Sequence, residues 1–194
     1  MKIENCKLKI ISNKAFSLTE LLIVIAIIAI LSVIVFPYYG SARKQFALQR
    51  SANKLAQDIR RAQGMAMFAK ELPGEGVPSG GYGVYFDKNW EAGKKYRIYA
   101  DTAPSDGNEF YTLADTIVET LELEERIFLY GINTSPQKVS INFKPPDPVV
   151  KIKYQESGGG VESVTITICI QGTNCLGSNI KIIFVNKAGL IYVK

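Results

Sequence analysis

The pattern of apolar and polar residues changes twice along the chain and so divides it into three stretches. The first stretch is a continuous apolar run, Leu21–Phe36, in which Ser32 is the one polar residue. The segment 16–39 around this run has 24 residues. As an α-helix it is about 36 Å long, which exceeds the roughly 30 Å hydrocarbon core of a bilayer. We therefore predict a transmembrane helix over 16–39.

The second stretch, 40–70, has the period of an amphipathic helix. Its apolar residues recur at spacings of three and four and form one stripe: Ala52, Leu55, Ala56, Ile59, Ala62 and Ala66. We predict that the transmembrane helix continues through 40–70 and that a sheet packs on this stripe of small side chains. The basic residues around the stripe are interpreted as a solvated face. At the junction, Pro37 lacks a backbone donor and Gly40 is flexible, so a helix kink or a melted turn is expected there.

The third stretch follows a loop rich in Gly and Pro at 71–81, and its period is two. Ten short segments rich in β-branched and aromatic residues are separated by turn signals, which predicts strands. They are 82–87, 95–100, 109–113, 116–123, 126–132, 138–143, 149–154, 161–170, 180–185 and 190–193. The predicted fold class is α+β, with a long N-terminal helix packed on a C-terminal antiparallel β-sheet head over 82–194.

Charge is distributed unevenly along the chain. The net charge is +5, but residues 38–70 carry +6, residues 71–137 carry −7 and residues 138–194 carry +4. This alternation argues against a general polyanion-binding protein and favours complementary patches for self-association or for other subunits. The sequence contains no His, no phosphate-binding loop and no nucleophile elbow. We therefore predict a protein that is not an enzyme and needs no cofactor or metal.

The three cysteines are divided between the two ends of the chain. Cys6 lies near the N-terminus, whereas Cys169 and Cys175 lie six residues apart in the predicted head. A pair in a domain outside a membrane favours a short-loop disulfide, with free thiols as the alternative. A zinc site would need two further ligands, and none has the spacing for it.

Residues 1–15 form a basic leader ahead of the apolar run, with four Lys and one Glu. One alternative is a cleavable secretory signal, whose cleavage site follows the apolar region. Cleavage would then occur after Gly40-Ser41-Ala42. A second alternative is an uncleaved signal anchor. The Lys excess predicts a cytoplasmic N-terminus, with the head on the other side of the membrane.

The residues KAFSLTELL, 14–22, closely resemble the class III signal of type IV pilins and pseudopilins. The resemblance implies that a prepilin peptidase cuts between Ala15 and Phe16 and that the new Phe16 amine is N-methylated. Most family members have Gly at the position of Ala15. Glu20 occupies the family's acid position, which implies subunit pairing with the Phe16 ammonium of a neighbour. Pro37 matches a proline common in the family.

The run 55–67, LAQDIRRAQGMAM, resembles the helix end of GspH/FimT-like minor pilins and pseudopilins. The matching residues are Leu55, Asp58, Ile59, Arg60 and Ala62, whereas Gln63 stands where Arg is usual. The resemblance implies a minor subunit of a type IV pilus, a competence pilus or a type II secretion pseudopilus. Its implied partners are the prepilin peptidase, other subunits and the assembly platform. The implied location is a single-pass cell membrane protein that later enters the filament.

Two further interpretations stay open. One is a major pilin. The other is a tethered minor pilin that binds DNA during uptake through basic residues of the head: Lys138, Lys144, Lys151, Lys153 and Lys181. The excess of Lys over acids there permits this interpretation, although no basic motif interleaved with aromatic residues demands it.

Overall fold

The structure is a computed structural model that describes residues 16–104, 107–145 and 149–194. The leader 1–15, which includes Ala15 and Cys6, lies outside the described residues. The chain divides into two compact units at Ala42 and Arg43, and each unit is described by itself.

Helix α1 is Leu18–Met67. Its backbone is helical at Pro37 and at Gly40, so a melted turn is not present at the junction. Whether the helix axis bends there stays a prediction. The first part of α1 carries an N-terminal cap and an apolar surface, and its second part packs on the strands of the head.

The described residues of the head contain nine strands in two antiparallel sheets. The strands are β1 (Tyr82–Asp87), β2 (Lys95–Ala100), β3 (Thr116–Glu122), β4 (Ile127–Ile132), β5 (Lys138–Lys144), β6 (Val149–Lys153), β7 (Ser163–Ile170), β8 (Ile180–Asn186) and β9 (Ile191–Val193). The five-stranded sheet has the order β3-β2-β1-β5-β6, and the four-stranded sheet has the order β4-β7-β8-β9. The α+β fold class is confirmed, and each predicted strand except 109–113 matches an observed one.

The core of the head forms where α1 meets the inner faces of the two sheets. The predicted stripe is confirmed, because each of its six side chains is at most 2% exposed. Alternate residues of the strands complete one cluster, for example Val84 in β1, Ile141 in β5 and Ile166 in β7. Each fully buried Leu or Ile side chain contributes about 1.5–3 kcal/mol, so this face of α1 is a main source of stability.

A buried carboxylate, Asp58, lies on the same face of α1. It accepts a hydrogen bond of 2.6 Å from the hydroxyl of Tyr96 in β2. Burial, together with this neighbouring carboxylate, raises the pKa of the Tyr96 hydroxyl well above its usual value. Because a buried carboxylate without a partner is costly, this bond fixes how α1 lies on the five-stranded sheet.

The basic face of α1 binds acids of the same head. Two of the three guanidinium nitrogens of Arg50, Nη2 and Nε, donate to the Glu124 carboxylate at 2.7 and 3.0 Å. Arg61 and Glu119 form a second pair at 2.7 Å. The Arg50 guanidinium holds the pKa of Glu124 below its usual value. The interpretation of the basic residues as a solvated face was therefore incomplete. Some of these basic residues form ion pairs with acids of the same subunit, which neutralises part of the charge of both blocks.

Residues 101–115, which we call the strap, cross the outer face of the five-stranded sheet instead of forming a strand. The predicted strand 109–113 was therefore wrong. Phe110 and Tyr111 are buried, as strand residues would be. However, Glu109 has a φ of +63°, and the Tyr111 N–H donates to the Ser140 hydroxyl at 2.8 Å. The backbone of the strap thus bonds to side chains and not to a neighbouring strand.

Two buried carboxylates hold the ends of the strap. Asp101 accepts the N–H groups of Asn108 at 3.1 Å and Glu109 at 2.6 Å. Asp115 accepts the N–H groups of residues 102, 103 and 112, together with the hydroxyl of residue 112. These bonds replace a sheet ladder, because short polar side chains satisfy the backbone of a tight loop.

Burial raises the pKa of Asp101 to about 6, and the nearby charge of Asp115 adds to this shift. The folded head therefore holds this proton more tightly than the unfolded chain does. The resulting stabilisation is complete below pH about 4 and is lost as the pH rises through about 6.

We expect the Asp101→Asn variant to lack this part of the pH dependence. The free energy of unfolding of the wild type relative to the variant should therefore decrease between pH 4 and pH 7. Urea unfolding of the detergent-solubilised chain at several pH values measures this difference. The control Glu125→Gln removes an exposed carboxylate. If the free energies of unfolding of the wild type and of Asp101→Asn differ by the same amount from pH 4 to pH 7, the raised pKa of Asp101 is contradicted.

Candidate assembly site

The first turn of α1 is capped by a side chain next to Phe16. The Glu20 N–H donates to the Ser17 hydroxyl at 3.2 Å, and the Leu21 N–H donates to the Ser17 carbonyl at 3.2 Å. Ser17 is therefore the N-cap, and Glu20 stands three residues later, as in a capping box. The spacing Ser-x-x-Glu is the signal in the sequence from which this cap could have been predicted.

Phe16 and Glu20 are both exposed within this subunit. Phe16 is 75% exposed and precedes the first helical residue, Leu18. Glu20 lies in the first helical turn, where the dipole of the helix favours a carboxylate. Among the described residues Glu20 has no ion-pair partner. The arrangement can present one carboxylate, close to the helix start, to a cation from outside the subunit.

The helix that follows has the surface of a membrane span. Leu18–Phe36 is 19 residues long with a mean hydropathy of 3.0, and none of it is buried against protein. Its length is roughly 28 Å at 1.5 Å per residue, close to the thickness of the hydrocarbon core. The Ser32 hydroxyl donates to the Ile28 carbonyl at 2.7 Å, so the one polar side chain of the apolar run is satisfied inside the helix.

One protein family matches this segment. The family described as the prokaryotic N-terminal methylation motif matches residues 11–36, which contain Phe16, Glu20 and the whole apolar run. Residues 11–36 thus carry the N-terminal signal motif that supports a type IV pilin-like protein. The one apolar helix of the described residues and the signal motif are consistent with a membrane-anchored pilin. The match ends before the head of this pilin-like protein begins.

Comparison with curated proteins gives no match to the pilin-like chain, and comparison with solved structures gives none either. The resemblance of residues 55–67 to GspH/FimT-like subunits is therefore still a prediction. Two residues of that pattern join α1 to the head. Asp58 binds Tyr96, and the Arg60 guanidinium donates to the Ile191 carbonyl at 2.8 Å.

The structure does not collect all the predicted site residues of the pilin-like protein in one place. Phe16 and Glu20 are at the start of α1, whereas Ala15 lies outside the described residues. Cys169 and Cys175 form a disulfide in the head, where it closes the loop between β7 and β8. The described residues contain no cluster of His, Cys, Asp or Glu suited to a metal ion.

The five lysines considered for DNA binding lie on two different sheets. Four of them are in β5 and β6, and Lys181 is in β8. The Glu109 carboxylate lies 3.0 Å from the ammonium of Lys153 and 3.9 Å from that of Lys151. Because a carboxylate of the strap neutralises part of this basic surface, the geometry gives the DNA-binding interpretation no support.

We expect the Ser17→Ala variant to open the first turn of α1 more often. Loss of an N-cap costs about 1 kcal/mol, which corresponds to roughly fivefold faster exchange of the Glu20 amide. Hydrogen exchange followed by NMR in detergent micelles measures this rate. Ser17→Thr, which keeps a hydroxyl, is the control. An unchanged rate in Ser17→Ala would show that Ser17 does not cap the helix.

Proposed function

We propose that this type IV pilin-like protein is a structural subunit that is processed and then assembled into a filament through its N-terminal helix. The observation that carries the proposal is the methylation motif at 11–36, followed directly by a capped apolar helix with one carboxylate in its first turn. Prepilin peptidase cleaves between Ala15 and Phe16, and the freed Phe16 amine is methylated.

The proposed pairing partner of Glu20 is the Phe16 ammonium of a neighbouring subunit. A carboxylate at the start of an apolar helix is tolerated near the membrane surface, but it becomes costly where lipid or protein excludes water. An ammonium from the next subunit offsets that cost in a filament core. The exposed position of Glu20 supports this role, because among the described residues its carboxylate has no ion-pair partner within its own subunit.

The head is proposed to lie outside the cytoplasm and the leader inside it. A disulfide between Cys169 and Cys175 supports this orientation, since such bonds persist in oxidising compartments. The subunit is anchored by a single span before assembly, and it is delivered to the filament by the assembly platform.

Within the family, we propose a minor pilin or pseudopilin of the GspH/FimT-like kind. Asp58 and Arg60 belong to the pattern typical of those subunits, and both attach α1 to the sheets of the head. The machine is a type IV pilus, a competence pilus or a type II secretion pseudopilus. A major pilin is the alternative, and the relative abundance of this chain in sheared filaments distinguishes the two.

The first test is the intact mass of the protein extracted from the membrane of cells that contain the prepilin peptidase. We expect a chain that begins at Phe16 and carries one methyl group. The control is the same protein from cells without the peptidase, which should begin at Met1. A chain that begins at Met1 or at Arg43 in the presence of the peptidase would rule out the proposal.

The second test is the Glu20→Ala variant. We expect normal membrane insertion and normal cleavage, but loss of incorporation into filaments, because the Phe16 ammonium of the neighbour then has no partner. Immunoblots of the membrane and sheared-filament fractions measure both quantities. Ser32→Ala, which removes a hydroxyl from the same helix, is the matched control. Normal incorporation of Glu20→Ala would contradict the pairing role.

A further inference from the structure

One end of the head lies where the chain enters it, and we call this end the base. Gln45 is the third residue of the head unit, and its side-chain amide donates to the Asn179 side-chain carbonyl at 3.4 Å. This bond places the loop between β7 and β8 beside the start of the head. The base thus consists of residues 43–46, the loop 171–179 and the first two residues of β8, Ile180 and Lys181.

Two apolar side chains of the base are exposed. Leu176 is 74% exposed, and Phe46 is 66% exposed. The loop that carries Leu176 is fixed on both sides, because Leu176 follows the disulfide-bonded Cys175 directly and its carbonyl accepts the Asn179 N–H at 3.2 Å. An apolar side chain that a fixed loop holds in water gains free energy when another phase covers it.

Two lysines give the base an excess of positive charge. Lys44 is exposed, and Lys181 lines a shallow groove of about 300 Å³ together with Gln45 and Lys194. Neither Lys44 nor Lys181 forms an ion pair among the described residues. The carboxyl group of Lys194 opposes its own ammonium, so the excess belongs to Lys44 and Lys181.

The acids close to the base are balanced by arginines. Arg126 lies beside the loop, because its carbonyl accepts the Gln171 N–H at 2.7 Å, and its guanidinium is 4.0 Å from the Glu125 carboxylate. Arg50 binds Glu124 through two nitrogens. These pairs do not involve the two lysine ammonium groups, so the net charge of the base is positive.

The chain keeps the base close to a membrane. Lys44 follows Phe36, the last residue of the apolar span, by eight residues, which is about 12 Å along a helix. A negative membrane surface attracts cations over a Debye length, about 8 Å at physiological ionic strength. Because the span tethers the head, the lipid surface is present at a high effective concentration.

We propose that, before assembly, the base binds the surface of a membrane that contains anionic phospholipids. The ammonium groups of Lys44 and Lys181 contact lipid phosphates, while Leu176 and Phe46 enter the interface between headgroups and acyl chains. The inference rests on the proposed function, in which one span anchors the subunit before assembly, and it adds a second attachment through the head. An attachment by two cations and two apolar side chains is weak and reversible.

The test places a fluorescent amino acid at Leu176 in the full-length chain, which is reconstituted in vesicles that contain a phospholipid with a nitroxide quencher on its headgroup. The vesicles are phosphatidylcholine alone or an equal mixture with phosphatidylglycerol, and both leaflets have the same composition. We expect at least threefold stronger quenching in the mixture. The same amino acid at Leu190, an exposed position at the opposite end of β8, is the matched control and should be quenched little in either vesicle.

A double variant tests the role of charge. Lys44→Gln combined with Lys181→Gln removes two ammonium groups that form no ion pair, so the fold should be retained. We expect at least a threefold loss of quenching at Leu176 in the mixed vesicles. Lys187→Gln, which removes a lysine just beyond the other end of β8, is the control and should leave the quenching unchanged.

Three results would overturn the proposal. They are equal quenching at Leu176 in both kinds of vesicle, equal quenching at Leu176 and Leu190, and unchanged quenching in the double variant. A change in fluorescence that depends on protein density and not on lipid charge would show contact between copies of the chain, and it would overturn the proposal as well.

The vesicle experiment uses neither the peptidase nor a filament, so it separates this inference from the proposed function. If Phe16 is freed and methylated in cells but the probe at Leu176 is not quenched in the mixed vesicles, the membrane contact alone is refuted. If the chain keeps its leader in cells that contain the peptidase, the proposed function itself fails.

Discussion

The head depends on one packing contact, in which the small-residue stripe of α1 lies on the inner faces of two sheets. Ala52, Ala56 and Ala62 allow the helix backbone to come close, while Leu55 and Ile59 fill the space between the sheets. Neither sheet could bury its apolar side without this helix. The directional bonds of Asp58 and Arg60 then fix the position of α1 along the sheets, which apolar packing alone specifies poorly.

The N-terminal part of α1, Leu18–Phe36, has no apolar stripe of this kind. From Leu21 to Phe36 its side chains are apolar on every side, with Ser32 as the exception, and the other polar side chains of this part are Ser17, Thr19 and Glu20. Such a helix is equally suited to lipid and to a bundle of similar helices. This segment can therefore lie in a membrane or in a bundle of similar helices without refolding.

Much of the fold could be predicted from periodicity alone. The stripe of α1 and the strands on either side of the core follow from spacings of three to four and of two, because burial on one face imposes those periods. The strap could not be predicted. Phe110 and Tyr111 are residue types typical of a strand. However, the Asp101 carboxylate binds the backbone N–H groups just before them, and Asp101 lies outside the predicted strand 109–113. For the candidate assembly site, the motif around Phe16 and Glu20 could be recognised in the sequence. In the head, the pairing of Arg50 with Glu124 could not be predicted, because 74 residues separate them and only the tertiary structure brings them together.

The disulfide lies beside the apolar surface of the four-stranded sheet. Cys169 stands in the same cross-strand row as Phe128 and Ile180, and its bond to Cys175 holds the loop that leads into β8. If the head is exported, as proposed, the bond forms only after the head has crossed the membrane, because the reducing cytoplasm disfavours it. Under that proposal, oxidation would mark export, and a head still in the cytoplasm would lack the closed loop between β7 and β8.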